Sequence, residues 1–564
     1  YFHKALNLFS SKSIEYSAVM FPVFMFLLTI LAFFLFIRKV FEKNKYRDMI
    51  AIVASAFLTV SPSLLARTIA GIPEKESAGF FFMFLAFYFF LCSWNSEKGK
   101  KALTFAFLSG LATASMGLVW GGWIYIFTSI ALFAFISFIF GKIDKKRFLS
   151  YSVWIFFSFF IYLLFSNQQS LTGLIVSTSS GLAFMMFFLF LVDFLTFNTK
   201  LQNLNFVNKF RKKLPDRVIS MIFLIILGLI LSSIFFGISF VPNFVSDIIF
   251  HLTQPYESRL LFTVAENQQP YFDEWANNFG PIVRGIPLLF WLFFIGSILL
   301  FYESVKNIGK KEKWLLTLSY IVFLFCLIFS RYASKSIMNG TNFASKTVYF
   351  GGIILLFAAF ALLFHKYYKE NRLQEFEKIN LPIFLLLSFF FFSIIGARSA
   401  VRLIMVLVPP AAGIVGYFCL AVVEKVKEQK DDTLKIVLGV VMVAVILAAV
   451  YSFYVNYQSS LASARGTIPS YYTQQWQKAM AWVRENTDEG AVFAHWWDYG
   501  YWVQTMGERA TVLDGGNGIG YWDHLLGRHV LTGQTESEAL EFLYNHNATH
   551  LLIDSTEIVK YSAY

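Results

Sequence analysis

The feature that most constrains this chain is its long series of apolar segments, separated by short charged loops. A run of about 18 or more apolar residues can cross a bilayer as a helix, and a soluble protein has no reason to carry many of them. A hydrophobic content of 57%, with 69 phenylalanines, agrees with this. We therefore predict a polytopic α-helical membrane protein. The predicted spans lie near residues 17–37, 49–66, 78–94, 102–117, 119–140, 150–166, 171–195, 218–240, 286–302, 314–330, 347–364, 381–396, 402–423 and 436–457.

The basic residues alternate between the loops on the two sides. One set of loops holds 29 Lys and Arg, namely 38–48, 95–101, 141–148, 196–217, 303–313, 365–380 and 424–434. The other set holds nine, namely 67–77, 167–170, 241–285, 331–346 and 397–402. Because cytoplasmic loops carry the excess of Lys and Arg, we predict that the second set and the C-terminal part are extracytoplasmic. A net charge of +12 spread in this way is not the single basic patch of a nucleic-acid-binding protein.

The chain divides into two predicted domains. Residues 1–457 form a multi-span transmembrane domain with external loops 67–77 and 241–285, and residues 458–564 form an extracytoplasmic α/β domain that is cut short at its C-terminus. Periodicity predicts helices at Gln474–Asn486 and near Ser537–Asn545. Strands are predicted at 491–497, 510–514 and Thr549–Asp554.

Two carboxylates lie close together in the first external loop. Glu74 and Glu76 follow Pro73 at a spacing of i, i+2, which in an extended segment directs both side chains the same way. Such a pair of oxygen ligands suits Mg²⁺ or Mn²⁺. The alternative is a solvated loop with ordinary charges.

Three other polar features remain ambiguous from the residues alone. Glu266 lies in the long loop 241–285, where a single carboxylate is usually solvated. Arg402 begins an apolar span, where arginine often extends to the interface, although charge at a membrane boundary also indicates function. The segment His495–Gly500 follows a β-prone run, and strand alternation leaves at least one of its two tryptophans outside a single core. The alternative there is a buried tryptophan pair beside a capping Asp498.

The pentapeptide Trp496-Trp497-Asp498-Tyr499-Gly500 resembles the signature of the oligosaccharyltransferase catalytic subunit, the enzyme of asparagine-linked glycosylation. Three further segments are similar to motifs of that family. They are Arg67–Glu76, Thr263-Val264-Ala265-Glu266 and Val401–Pro409. Glu74 stands where the family more often has Asp. The family's first acidic motif has no match, and we expect the chain to begin after it.

The resemblance implies a C-type glycosyltransferase architecture and a single-subunit enzyme of an archaeal or other prokaryotic cell membrane. It implies metal-dependent transfer of an oligosaccharide en bloc from a lipid phosphate or pyrophosphate carrier to Asn in Asn-x-Ser/Thr. Its implied partners are the lipid-linked oligosaccharide, the acceptor polypeptide and membrane lipid, and its implied ion is Mn²⁺ or Mg²⁺. The implied metal ligands are Glu74, Glu76 and Glu266, of which Glu266 is also the catalytic carboxylate at the acceptor amide.

The same resemblance assigns the remaining site residues. Arg402, and secondarily Arg398, would contact the carrier phosphate, while Trp496, Trp497 and Asp498 would bind the hydroxyl of the acceptor Ser or Thr. Two other functions stay open. A C-type transferase of single sugars shares the acidic loops but does not need Trp-Trp-Asp-Tyr-Gly. A secondary transporter would place ionisable residues at mid-membrane, whereas the carboxylates here are predicted at the external face.

Overall fold

The structure, a computed structural model, describes residues 2–8, 10–178, 180–253, 264–466, 472–516, 518–561 and 564. Chain contacts divide it into two compact units. The membrane unit comprises residues 1–253 and 269–463, and the C-terminal unit comprises residues 254–268 and 464–564. The helix predicted to end at 457 runs to Gly466, so the first unit extends past the predicted boundary. The described residues 264–268 of the long predicted loop also group with the C-terminal unit.

Eleven helices in the described part of the chain are long and apolar enough to cross a membrane. They are Ile14–Val40, Glu76–Asn95, Gly99–Val119, Gly121–Ile139, Lys145–Phe165, Asp216–Phe236, Lys310–Phe329, Phe343–Lys369, Pro382–Ser399, Val401–Glu428 and Asp432–Gly466. Helices form because, inside a bilayer, backbone N–H and C=O groups can be satisfied only within the segment. The chain is therefore an integral membrane protein, and the polytopic helical fold is confirmed.

Shorter helices complete the membrane unit and correct two predicted spans. They are Phe2–Leu6, Arg47–Thr59, Pro62–Leu65, Leu171–Val176, Gly181–Phe197, Asn205–Arg211, Phe240–Thr253, Phe272–Asn278 and Leu288–Ser304. The run 49–66 is broken before Pro62, because the residue preceding a proline disfavours helical dihedrals. The run 171–195 is interrupted after Val176, where Ser177 adopts an extended conformation. Between Phe272–Asn278 and Leu288–Ser304, the strands β1 (Ile282–Val283) and β2 (Ile286–Pro287) pair as an antiparallel hairpin.

The core of the membrane unit is aromatic and closely packed. Phe36 and Phe84 stack in parallel with ring centres 6.4 Å apart, and both are fully buried. Glycines permit the closest helix contacts, since a Cβ on Gly416 would lie 2.7 Å from the carbonyl oxygen of Ile50. Small residues at helix contacts are typical of membrane bundles, in which packing replaces the hydrophobic driving force between helices.

The C-terminal unit contains a three-stranded parallel sheet with strand order β4–β3–β5. Its strands are β3 (Val492–Ala494), β4 (Ala510–Thr511) and β5 (His550–Leu551). The helices around them are Gln474–Asn486, Gly500–Thr505, Gly520–Leu525, Glu536–Asn545 and Thr556–Lys560, with a π-helical turn at Leu526–Leu531. The predicted α/β class is confirmed, because parallel strands joined through helices define it. All three strands are shorter than predicted.

Candidate active site

The predicted acidic pair lies in a turn that starts a membrane helix. Gly71 has a φ of 85°, a left-handed value that glycine adopts without strain. The backbone N–H of Glu74 donates to the carbonyl oxygen of Ile72 at 2.8 Å. The Ser77 hydroxyl donates to the Glu74 carbonyl oxygen at 2.8 Å, which ties the turn to the helix. Glu76 is the first residue of the helix Glu76–Asn95. The two carboxylates therefore project from a turn and a helix end, and the predicted extended segment is wrong.

Glu76 is the most unusual charged residue of the membrane unit. Its side chain is 1% exposed, and neither of its carboxylate oxygens has a hydrogen-bond partner among the described residues. The N-terminus of a helix carries partial positive charge, which favours a carboxylate at this position. A guanidinium nitrogen of Arg402 lies 3.7 Å from Glu76 Oε1, an ion pair too long to be a hydrogen bond. A buried carboxylate without donors is costly to keep unless a cation or ligand completes its environment.

Glu74 has a different environment, although it is only two residues away. It is partly exposed, and its Oε1 accepts a hydrogen bond from Arg67 at 3.0 Å. Glu74 also lies within electrostatic range of Glu76. The oxygen chemistry of the pair fits a hard divalent cation. Within the described ranges, however, no group of three or more His, Cys, Asp and Glu is arranged to hold a metal ion.

Arg402 and Arg398 flank a break between two membrane helices. The helix Pro382–Ser399 ends at Ala400, whose extended backbone leads into the 3₁₀ turn Val401–Leu403 that carries Arg402. Arg402 is partly exposed and reaches Glu76. Arg398, in the last turn of its helix, is buried, and its guanidinium carbon lies 5.5 Å from the centre of the Tyr349 ring. The structure thus places Arg402, but not Arg398, against the acidic turn.

Glu266 lies in the C-terminal unit, on the 3₁₀ turn Ala265–Asn267, and its side chain is exposed. The turn is closed by a hydrogen bond from the Asn267 N–H to the Val264 carbonyl oxygen at 2.9 Å. Thr263, the first residue of the predicted Thr-x-x-Glu motif, is outside the described residues. The roles of Glu266 as a metal ligand and as the catalytic carboxylate remain predictions.

The two tryptophans follow the carboxyl end of β3, the central strand of the sheet. In parallel α/β sheets this end is where ligands usually bind. Trp496 is buried and contacts the ring of Tyr564, with centroids 4.5 Å apart. Trp497 begins a 3₁₀ turn, and its buried indole nitrogen has no hydrogen-bond partner among the described residues. Trp497 packs, partly buried, against the same hydrophobic cluster that contains Trp496, so the prediction that one of the two tryptophans lies outside a single core is wrong.

Asp498 faces a helix that begins close to the end of the chain. Its carboxylate forms an ion pair with Lys560, and the hydroxyls of Tyr499 and Thr556 lie 2.6 Å apart. The helix Thr556–Lys560 is thereby held against the pentapeptide.

His495 supports the pentapeptide from within the core. It is fully buried, and its Nδ1 donates to the Trp496 carbonyl oxygen at 2.8 Å. Burial lowers the pKa of His495 below its ordinary value, so the neutral ring is favoured. His495 and Arg67 had no role assigned from the sequence, although His495 adjoins the pentapeptide and Arg67 lies in the Arg67–Glu76 segment, seven residues from its partner Glu74. Lys560 is positioned by its contact with Asp498, which is distant in the sequence.

Comparison with known proteins now adds independent information. Residues 1–261 match the family model described as the N-terminal region of oligosaccharyl transferase STT3. The match covers somewhat less than half of the chain, and in that part the chain is similar to the STT3 family. It is 25% identical over 228 residues, 40% of its length and 21% of the relative's, to a dolichyl-phosphooligosaccharide-protein glycotransferase of Pyrococcus furiosus. It is 19% identical over 525 residues, 89% of its length, to the STT3 subunit of a dolichyl-diphosphooligosaccharide–protein glycosyltransferase from Saccharomyces cerevisiae.

The fold agrees with that of a solved archaeal oligosaccharyltransferase. The apo oligosaccharyltransferase of Archaeoglobus fulgidus superposes with a TM-score of 0.66 and 17% identity, covering 99% of this chain and 61% of that one. At this identity the likeness establishes the fold. The chain spans about 60% of the length of the yeast and Archaeoglobus proteins.

Proposed function

We propose that this protein is an oligosaccharyltransferase of the STT3 family, which transfers an oligosaccharide en bloc from a dolichyl or polyprenyl phosphate or pyrophosphate to Asn in Asn-x-Ser/Thr. The observation that carries the proposal is the turn at Glu76. There, a buried carboxylate with two unmatched oxygens lies at a helix N-terminus and faces Arg402. This arrangement has no evident structural purpose. A transferase that acts on a lipid phosphate, by contrast, needs both a site for a metal ion and a positively charged side chain that binds the phosphate.

In the cation site, carboxylate oxygens would bind a hard divalent cation. Glu74 and Glu76 would hold Mn²⁺ or Mg²⁺, and we assign Glu266 as a further ligand by resemblance to the family motif. When bound, such an ion acts as a Lewis acid on phosphate oxygens. The unmatched oxygens of Glu76 support this assignment, since metal ligation would satisfy them. The proposal does not depend on which of the two ions is used.

Arg402 would bind the phosphate of the carrier lipid. A guanidinium offers paired N–H donors that match two phosphate oxygens, which a lysine cannot do. Its ion pair with Glu76 at 3.7 Å is loose enough to allow rearrangement when an anion arrives. Arg402 is also partly exposed, so an anion can reach it.

The acceptor asparagine presents a chemical problem that carboxylates can solve. A carboxamide nitrogen is a poor nucleophile because its lone pair is delocalised into the carbonyl group. A carboxylate that accepts hydrogen bonds from the amide N–H groups can hold the amide in a geometry that reduces this delocalisation. We assign this role to Glu266, which is exposed on its turn.

Trp496, Trp497 and Asp498 would recognise the hydroxyl of Ser or Thr. A hydroxyl both donates and accepts, so a carboxylate and an indole N–H can bind it together. The Trp497 indole nitrogen has no partner among the described residues, and Asp498 forms a partly exposed ion pair with Lys560. A site built for a hydroxyl rejects analogues that lack it.

Related structures support these assignments. The Archaeoglobus fulgidus enzyme has been solved tethered to an acceptor peptide containing the NVT sequon, and in complex with an inhibitory peptide and a dolichol-phosphate. It has also been solved in complex with Zn and sulfate. We extend peptide, lipid-phosphate and metal binding to the present protein. The alternation of basic loops and the Pyrococcus relative support an archaeal cell membrane with the C-terminal unit outside.

The deciding experiment is a transfer assay with the purified full-length protein. It combines a lipid-linked oligosaccharide, an Asn-x-Thr peptide and Mn²⁺, with a Gln-x-Thr peptide and a metal-free reaction as controls. We expect the complete glycan to appear on the Asn-x-Thr peptide only, and only with metal. Transfer of single sugars, or equal modification of the Gln-x-Thr peptide, would refute the proposal.

A further inference from the structure

A cavity of about 590 Å³ lies inside the membrane unit. The helices around it are Gly121–Ile139, Asp216–Phe236, Leu288–Ser304, Lys310–Phe329, Phe343–Lys369 and Pro382–Ser399. Most of its lining consists of phenylalanine, leucine and isoleucine side chains, to which Tyr320 and Ser388 add two hydroxyls. Protein interiors are close-packed and seldom contain voids larger than a water molecule. A cavity of this size instead falls in the range of ligand pockets, about 300–1,000 Å³.

The walls of the cavity are fixed by contacts between the segments that form them. Nη1 of Arg217 donates to the carbonyl oxygen of Ile139 at 2.8 Å, which joins the start of one wall helix to the end of another. The rings of Phe140 and Phe376 stack in parallel with centroids 5.0 Å apart. The cavity is therefore preformed, and a preformed site loses little entropy when a ligand binds.

The basic side chains that line the cavity lie on the side of the Lys- and Arg-rich loops. Lys213 comes shortly before the helix Asp216–Phe236, and His365 lies near the end of the helix Phe343–Lys369. Both side chains are exposed. Both lie in loops of the basic set, which is predicted to be cytoplasmic. The cavity therefore extends from the apolar interior of the unit to a basic end at one membrane face.

This basic end has a surplus of positive charge. Asp216, the acid nearest to Lys213 in the sequence, pairs with Arg211 at 2.8 Å. Lys213 itself forms no ion pair within the described ranges, and no Asp or Glu is among the described residues that line the cavity. Tyr368, three residues after His365 on the same helix face, also lines it and offers a hydroxyl donor. The end of the cavity thus favours an anionic group with several acceptor oxygens.

We propose that the cavity binds a hydrocarbon chain of an anionic membrane phospholipid, with the phosphate headgroup beside Lys213 and His365. An apolar chain fills the aromatic interior and restores the dispersion contacts that a void forfeits. Basic pockets between membrane helices at the cytoplasmic face are typical sites for acidic lipid headgroups.

This lipid site is separate from the acidic turn. Within the helix Pro382–Ser399, the cavity is lined by residues from Phe384 to Phe391, in the first half. Arg402 lies beyond the other end of that helix. The occupant is therefore a lipid of the leaflet at the basic loops, and the proposal does not rest on the proposed function.

Photocrosslinking tests the site without measuring glycan transfer. The full-length protein is reconstituted in phosphatidylcholine nanodiscs that contain phosphatidylglycerol with a diazirine near the end of one acyl chain. Phosphatidylcholine with the same labelled chain is the headgroup control, and crosslinked peptides are mapped by mass spectrometry. A third arm adds excess unlabelled dolichyl phosphate, which would displace the probe if the oligosaccharide carrier occupied the cavity.

Two pairs of neighbouring variants separate the chain from the headgroup. Ala361→Trp fills the cavity, and Leu362→Trp places the same ring on the adjacent residue, which is 67% exposed and does not line the cavity. Lys213→Gln removes the charge at the basic end, and Lys212→Gln removes an exposed neighbouring charge outside the lining.

We expect phosphatidylglycerol to label peptides that line the cavity more strongly than phosphatidylcholine does. Ala361→Trp should lower this labelling at least about tenfold, because steric overlap excludes the chain. Lys213→Gln should reduce the preference for phosphatidylglycerol about fivefold, the worth of one basic residue near an anionic lipid. Leu362→Trp and Lys212→Gln should leave both quantities unchanged.

Three results would overturn the proposal. They are equal labelling by the two headgroups, full labelling in Ala361→Trp, and displacement of phosphatidylglycerol by dolichyl phosphate, which would identify the carrier as the occupant.

Discussion

Two buried carboxylates, one in each structural unit, both have a second carboxylate nearby, and of the two only Glu76 also has an arginine within 4 Å among the described residues. Glu76 in the membrane unit and Asp523 in the C-terminal unit are 1% and 2% exposed. Each has at least one oxygen without a hydrogen-bond partner in the described part of the chain. Arg402 lies 3.7 Å from Glu76. The charged group that acts on Asp523 is another acid, Asp514, and burial together with that repulsion raises the pKa of Asp523 to about 6.

The difference shows that burial of an acid does not by itself indicate a site. A cation beside the carboxylate favours the charged form, which can bind a metal ion or a substrate. Where no cation lies nearby, burial and a second carboxylate favour the neutral form, and ionisation then costs stability. We therefore expect substitution of Glu76 to affect function and substitution of Asp523 to affect stability.

The largest expected effect is that of Glu76→Gln. It removes a negative charge from the acidic turn while retaining its shape, and we expect transfer to fall about 100-fold or more, as for other electrostatic groups of active sites. The measurements are the rate of peptide glycosylation and the affinity for Mn²⁺ from the paramagnetic resonance of the free ion. Glu74→Gln is the matched variant and should have a smaller effect, because Glu74 is partly exposed and bound to Arg67. Equal Mn²⁺ affinity in Glu76→Gln and the wild type would contradict this assignment.

The next largest effect is expected for Asp498→Ala. This change removes the carboxylate that would accept a hydrogen bond from the Ser or Thr hydroxyl of the peptide. We expect kcat/KM for an Asn-x-Thr peptide to fall about 10- to 100-fold, consistent with hydrogen bonds to charged groups. The KM for the lipid donor should not change. Glu489→Gln, an exposed acid in the same unit, serves as the control. An unchanged preference for Asn-x-Thr over Asn-x-Ala in Asp498→Ala would argue against hydroxyl recognition by this residue.

Asp523→Asn should stabilise the protein at neutral pH. The folded pKa of about 6 exceeds the ordinary value of 3.8, so stability decreases as pH rises between these values and the full cost remains above the folded pKa. Removing the ionisable group should add about 1–2 kcal/mol to the free energy of unfolding at pH 7.5, since asparagine retains part of the cost of burial. Thermal unfolding of the full chain at pH 4 and pH 7.5 measures this. A gain of the same size at pH 4 would mean that ionisation is not the cause.

The smallest effect is expected for Lys560→Met. The ion pair between Lys560 and Asp498 is partly exposed, and such pairs contribute about 1 kcal/mol or less to stability. We expect a small decrease in thermal stability and a change of only a few-fold in KM for the peptide. Kinetics with Asn-x-Thr peptides measure the second quantity. A loss as large as that of Asp498→Ala would show that the pair, and not the carboxylate alone, forms the pocket.

Local patterns predicted some elements accurately. The helix Gln474–Asn486 begins and ends where its periodicity predicted, and Thr473 caps it by accepting from the Trp476 N–H. By contrast, the strand predicted at 491–497 ends at Ala494. The Trp-Trp-Asp segment turns into a 3₁₀ helix there, where Tyr499 contacts Thr556 and Asp498 pairs with Lys560. Those partners lie far along the chain, so alternation within the strand could not indicate them.

The sequence by itself determined the membrane class, the positions of the helices and the family motifs. Lipid cannot form hydrogen bonds with free backbone N–H and C=O groups. An apolar segment long enough to cross the bilayer therefore forms a helix regardless of its neighbours. Only the tertiary structure decided which charges meet. The pairing of Arg402 with Glu76 joins segments that are far apart in the sequence, and the repulsion between Asp514 and Asp523 depends on how the chain folds between them. Electrostatic environment depends on burial and on neighbours in space, neither of which a local pattern encodes.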